Sequence, residues 1–265
     1  MDGNLLFETY VLYFFIYSVL GYFGEVIYCS IPAHHFVNRG FMYGPYLPIY
    51  GFGGVAIRLI GAAIPSHAAS NPFLVFAFSF VSASIIEYIG SFILQKGFNV
   101  KLWDYSKHFG NINGRVCLLN STIFGFAGLL LTYVVHPLLS QGFAFLSDAL
   151  VHSLSTVVIV VMSSDATASL IRMAAFKHGL EDMKDRKAKL EERIARLRGT
   201  GEERLSLPLR AKLEEESAEF REQFNLRYRR FVSKFPTMTS GNIEMRQQIE
   251  NMKDAVLKHL PRKGK

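Results

Sequence analysis

The chain has 265 residues, half of them hydrophobic, with 23 Phe, 12 Tyr and a positive mean hydropathy. That is too apolar for one ordinary soluble domain and points to several membrane spans joined to a polar part. The net charge of +7 is confined to one end: the seven Lys/Arg and seven Asp/Glu of residues 1–174 cancel, leaving 22 of the 29 basic and 15 of the 22 acidic residues in 175–265. Cys29 and Cys117 stand alone, without a CxxC or a nearby His, which argues against a disulfide framework or a zinc site.

The N-terminus, MDGNLLFETY, has no basic n-region and no small-residue cleavage signal, so its apolar run reads as a retained first span. A bilayer core of roughly 30 Å needs about 20 apolar residues. Five runs qualify, at about 5–29, 45–64, 73–95, 115–138 and 148–173. The second is the weakest, because the segment 38–51, NRGFMYGPYLPIYG, carries an Arg, two Pro and three Gly. Its prolines remove backbone donors and restrict the residues before them, so the chain should enter in an extended or broken form, with helix resuming near Pro48.

The loops set the direction. Arg39, then Lys96, Lys101, Lys107 and Arg115, then the basic tail all fall on one side, whereas the loops around IPSHAASNP and LLSQGFAFLS hold no Lys or Arg. By the positive-inside rule the N-terminus is outside and the C-terminus inside. Residues 1–174 are thus expected to form a five-helix transmembrane domain, and 175–265 a cytoplasmic, basic, coiled-coil-like tail.

In the tail, Leu180, Met183, Lys187, Leu190, Ile194 and Leu197 recur at spacings of three and four. RGTGEERLSLP interrupts that pattern, and a second stripe follows: Leu213, Ser217, Phe220, Phe224, Tyr228, Phe231 and Phe235. Two such stripes bury each other most economically as an antiparallel hairpin. A shorter helix with Met245, Ile249, Met252, Val256 and Leu260 in register is expected after it. The basic excess suits anionic headgroups, at about 1 kcal/mol per residue close to the surface, or a solvated helix face. Interleaved acids, Glu214, Glu215, Glu216, Glu219 and Glu222, oppose nucleic acid, which is not expected as a partner.

Charged groups within a span cost on the order of 3 kcal/mol and usually face a bundle interior or a cavity. Glu25 lies near the inner end of the first span on a face with Ser18, Gly21, Tyr22 and Tyr28, and Glu87 lies on the inner side of the third between Ser84 and Ser91. Asn113, Arg115 and Asn120 open the fourth span at the same level, with Asn38 and Arg39 beside them on the first loop and Trp103, Asp104 and Tyr105 on the second. Tyr43, Tyr46 and Tyr50 of the broken segment would add hydroxyls. This mixture either locks helices together or forms a cytoplasm-facing substrate pocket: Arg for bidentate contacts, carboxylates to orient it, amides to complete the network. In the fifth span Asp165 shares a side with Ser169 and Arg172, and Arg58 in the outer half of the second reads as snorkelling. Ser121, Gly125, Gly128, Thr132 and His136 form a stripe suited to close helix packing.

No GxxxxGK[ST], GxSxG, HExxH or Cys/His arrangement occurs. No metal or cofactor is expected, and an enzyme would have to use carboxylates, Tyr and Arg alone.

Taken in order, FFIYSVLGYFGEVIYCSI, FVNRGFMYGPYLPIYGFG, the Glu87 segment, WDYS and NINGRVCLLNSTIFGFAG resemble the bacterial membrane family called Putative ABC-transporter type IV, or CmpB, strongly over about residues 10–140. Tyr22 stands where a Trp is usual in that family. The resemblance implies a multi-pass protein of the bacterial inner membrane with a transport role, a permease served by a separate ATPase subunit. Beside it stand two other expectations: an enzyme or binding protein for a lipid or polar headgroup at the inner leaflet, and a scaffold acting through its tail, which would pair with a partner or a second copy.

Overall fold

A computed structural model of the protein describes residues 3–66, 70–199, 203–235, 237–240 and 246–251. They are mostly helical: α1 (Gly3–Ala33), α2 (Pro48–Ala63), α3 (Pro72–Phe98), β1 (Val100–Lys101), α4 (Leu118–Leu130), a π-helical turn (Leu131–Val135), α5 (His136–Ala144), α6 (Asp148–Gly199), α7 (Glu203–Ser233) and β2 (Thr239–Ser240). Among the described residues four stretches are long and apolar enough to cross a membrane, Gly3–Ile31, Pro72–Phe98, Leu118–Ala144 and Asp148–Arg186, which makes this a multi-pass membrane protein. The apolar run expected at 45–64 is helical only over Pro48–Ala63, shorter than the other four.

The chain forms two compact units, Met1–Ile93 with Asp104–Leu170, and Leu94–Trp103 with Ile171–Lys265. In the first, α1 and α2 approach until their backbones nearly touch. A Cβ at Gly51 would stand 2.3 Å from the Ser18 hydroxyl and 2.7 Å from the Phe14 carbonyl oxygen, so only hydrogen fits there. Pro48 occupies the first turn of α2, where a missing N–H breaks no helical bond. Before it the chain is not helical: residues 41–47 form a strap in which Met42 and Tyr46 are buried together with Met162 of α6, against Phe14, Phe15 and Val19 of α1. The Leu47 N–H donates to the Ser18 carbonyl at 2.9 Å, fastening the strap to α1.

The membrane-length stretch Leu118–Ala144 starts later than the apolar run expected at 115–138. Residues 112–116 form a tight hairpin, with Asn113 and Gly114 at φ 54° and 67° and the Arg115 N–H closing onto the Ile112 carbonyl at 3.0 Å. Asn-Gly is the pair that tolerates two successive left-handed residues, so helix begins only at Leu118. On α4 the small residues serve packing: a Cβ at Gly128 would fall 2.0 Å from the Ser79 hydroxyl of α3, and Ser84 donates to Ser121 at 2.7 Å. The π turn follows because Pro137 has no N–H and its ring would strike the carbonyl four residues back. The His136 N–H instead reaches the Leu131 carbonyl, five residues back.

In the second unit α6 and α7 pack antiparallel. Phe176 meets Phe224, Tyr228 and Phe231, while Arg186, further along α6, lies 4.2 Å over Phe220, earlier on α7. Gly179 allows that contact, since a Cβ there would strike the Phe224 ring. Met173, Phe176, Leu180 and Met183 form the buried stripe of α6, and Phe224, Tyr228, Phe231 and Phe235 that of the second half. The side chains of Lys187, Leu190, Ile194, Leu197, Leu213 and Ser217 lie outside the described ones, as do residues Met245, Met252, Val256 and Leu260; Ile249 is fully buried. The fold is not purely helical. Val100 and Lys101 pair antiparallel with Ser240 and Thr239, Ser240 Oγ donates to the Asn99 carbonyl at 2.6 Å, and Lys177 Nζ donates to that of Gly97.

Candidate functional site

Most of the polar residues marked in the sequence fall in the first unit, in separate groups. The largest joins α1, α2, α3 and both polar loops. Glu25 on α1 accepts a hydrogen bond from Tyr50 of α2 at 2.7 Å and pairs with Arg39, whose Nε is 3.3 Å from its Oε1. Arg39 Nε is also 3.2 Å from Cys29 Sγ, one turn along α1, and the Cys29 thiol lies 3.6 Å from Glu25 Oε1. Burial opposes the charge on Arg39 and the Glu25 carboxylate favours it; the carboxylate wins, so its pKa lies above the ordinary value.

Glu87 on α3 is 5% exposed. The Tyr105 hydroxyl donates to its carboxylate, and Glu25 is near enough to act on it electrostatically. Burial, then Glu87 and Glu25, raise the Tyr105 phenol well above its usual range, which keeps it a donor. One oxygen of Glu87, Oε2, is buried without a hydrogen-bond partner among the described residues.

Glu87 belongs to a line of polar groups along the buried face of α3. Ser79, Glu87 and Ser91 are its buried polar residues, and Ser84 lies between them along the helix, donating to Ser121 of α4. Ser79 Oγ and Ser91 Oγ, like Glu87 Oε2, are buried and without a partner among the described residues. At 1.5 Å per residue the line from Ser79 to Ser91 runs about 18 Å. Near Ser79 it meets a cleft of about 200 Å³ that is also lined by Arg58, Thr132 and His136.

The other expected residues lie elsewhere. Tyr43 and Tyr46 turn to Asp165 of α6: the Tyr43 and Gly44 N–H groups donate to its two oxygens at 2.9 and 2.8 Å, the Tyr46 hydroxyl at 2.5 Å and Ser169 at 3.0 Å. Asn38 accepts from Tyr22 at 3.1 Å. Asn113 donates to the Tyr88 hydroxyl at 2.9 Å, and the Arg115 guanidinium lies 5.0 Å from the Tyr88 ring and 5.5 Å from that of Phe92. Asp104 accepts the Ser106 N–H, closing its own turn, and Asn120 is half-buried on the first turn of α4. Sequence reasoning placed Tyr105 beside this level without choosing it as a site residue, left out Cys29, and read Asp165 with Ser169 but not with the strap. Cys29 at i+4 from Glu25 was readable as a helix neighbour; no signal separated Tyr105 from Asp104 beside it.

Four membrane-length helices, one of them carrying buried polar side chains, define a polytopic membrane protein. The family model described as Putative ABC-transporter type IV (CmpB) matches residues 12–170, and the chain belongs to that family. Among curated proteins and among solved structures no match is found.

Proposed function

We propose that the chain is the permease component of a transporter, driven by a separate ATPase subunit, with the Glu25, Arg39, Tyr50, Glu87 and Tyr105 cluster as a substrate site open to the cytoplasm. The observation that carries this reading is the polar line on α3. A site for a headgroup at one leaflet needs polar groups at one level only, whereas Ser91, Glu87, Ser84 and Ser79 continue from the cluster toward Arg58. Polar groups within a span are costly and typically mark a solute path.

The path is closed where Gly128 packs on Ser79, so passage requires α3 and α4 to part. The cluster pairs Arg39 with Glu25 and leaves Glu87 a bare carboxyl oxygen, which suits a solute carrying a hydrogen-bond donor or a cationic group.

In this reading the protein crosses a bacterial inner membrane five times, N-terminus outside and C-terminus inside. Helix α2 covers only about 24 Å at 1.5 Å per residue, short of a core of roughly 30 Å. The strap at 41–47 makes up the difference, non-helical backbone being tolerated at that depth when it is buried in protein. Arg39, Lys101, Lys107 and Arg115 then share the cytoplasmic side with the basic tail.

The test is capture of the full chain from native membranes in mild detergent, followed by native mass spectrometry and an ATP hydrolysis assay. An ATP-hydrolysing subunit is expected to co-purify, with hydrolysis falling at least about tenfold, a loss of roughly 1.4 kcal/mol in activation terms, in Glu87→Gln while the complex persists. Recovery of the chain with lipid alone, or unchanged hydrolysis in both Glu87→Gln and Glu25→Gln, overturns the permease reading.

A further inference from the structure

The cleft at the far end of the α3 polar line has a chemistry of its own. Arg58 of α2 lines it, and the Arg58 Nε is buried without a hydrogen-bond partner among the described residues. Arg58 makes no ion pair among the described residues. Ser79 faces the same cleft, fully buried, and its hydroxyl is also unpartnered. The π turn brings Thr132 and His136 to the opposite wall, where His136 Nδ1 is held 3.0 Å from the hydroxyl of Tyr17, itself 2% exposed. The remaining wall is apolar, with Ile57, Ile60, Phe78 and Leu131.

A guanidinium among apolar side chains in a membrane bundle is costly unless an anion meets it. Guanidinium is the side chain best shaped for phosphate and carboxylate oxygens, because it is planar, always charged and forked. The unused Ser79 hydroxyl supplies a second donor. A volume near 200 Å³ holds roughly six or seven waters at ~30 Å³ each, enough for a phosphate or carboxylate and the first carbons of its stem. We infer that this cleft binds the anionic oxygen group of an amphiphile, with Arg58 and Ser79 on the oxygens and the apolar wall on the stem. A membrane phospholipid and a free fatty acid share that chemistry.

Binding is measured on the full purified chain in neutral detergent by native mass spectrometry, titrating phosphatidylglycerol, oleate, phosphatidylcholine and inorganic phosphate separately. Phosphatidylglycerol or oleate is expected to occupy one saturable site, and the tighter of the two identifies the source. Affinity should fall about tenfold or more in Arg58→Gln, the loss of one charge-assisted contact, and severalfold in Ser79→Ala, but be largely kept in Arg58→Lys. Equal binding of phosphatidylcholine, equal binding of inorganic phosphate, or anion binding unchanged in Arg58→Gln overturns the inference. Should Arg58→Gln not yield a folded chain, Ser79→Ala decides: it removes one buried atom, and unaltered anion affinity in it is equally fatal. The measurement involves no ATPase or transport, so it stands or falls apart from the permease reading.

Discussion

Two carboxylates sit within apolar helices of the same unit and are treated in opposite ways. Asp165 on α6 accepts two backbone N–H groups and two hydroxyls. Glu87 on α3 accepts from Tyr105 and keeps an oxygen without a partner. A carboxylate has about four acceptor positions, so Asp165 is saturated and Glu87 is not. The first has used its hydrogen-bonding capacity to hold the strap 41–46, and the second retains some for another molecule. Desolvating a charge is tolerable only with good compensation, so the incomplete one is where function is to be sought.

That contrast can be broken by experiment. The largest effect is expected from Asp165→Ala, which strands four donors around the strap. Charge-assisted bonds are each worth roughly 1.5–3 kcal/mol and are not additive, so a loss of about 3 kcal/mol or more is expected, read as a lowered melting temperature in detergent and faster proteolysis at 41–46. If Asp165→Ala melts like the parent, the strap is not held by this carboxylate.

Gly51→Ala comes next. Its new methyl would overlap Ser18 and the Phe14 carbonyl oxygen, and overpacking of this kind costs typically about 1–3 kcal/mol. This variant asks whether the α1 and α2 contact, instead of Asp165, seats the strap; a cost above that of Asp165→Ala would reverse the order proposed here. Tyr46→Phe removes one of the four donors and should cost about 1 kcal/mol by the same melting assay. Smallest of all is Glu87→Gln, which keeps the shape of a buried, under-satisfied side chain and should change stability by less than about 0.5 kcal/mol, with the loss appearing in ATP hydrolysis. Destabilisation by Glu87→Gln as large as that from Asp165→Ala would erase the distinction between the two carboxylates.

Much of the helical layout was legible because apolar runs and prolines act locally. Helix resumes at Pro48, and α3 keeps the Ser84, Glu87 and Ser91 face that its spacing implies. The stripe Ser121, Gly125, Gly128 reads as packing and packs against α3. Loops were less legible, since their side chains follow no period. Within WDYS it is Tyr105, not Asp104, that reaches Glu87, while Asp104 closes its own turn. The Asn-Gly hairpin delays helix α4 to Leu118, where hydropathy alone places its start near 115. Grouping Tyr43 and Tyr46 with Tyr50 assumed that one segment serves one site. Chain reversal at 41–47 sends the first two to α6 and the third to α1. The strand pair of Val100–Lys101 with Thr239–Ser240 joins segments far apart in the chain, and two residues are too few to leave a period.

The π turn ahead of Pro137 sets the angular phase of α5. Each α-helical residue advances about 100° around the axis, and the widened turn absorbs one residue more than an α turn would. The face that α5 presents is therefore offset by about that angle from a direct continuation of α4. Deleting Val134 should erase the offset, leaving Gly128 seated on Ser79 but swinging the His136 ring away from Tyr17. Cysteine cross-linking at each pair would read the two contacts separately. A single residue thus keeps the tight helix contact and the Arg58 cleft in phase, like one tooth between two gears.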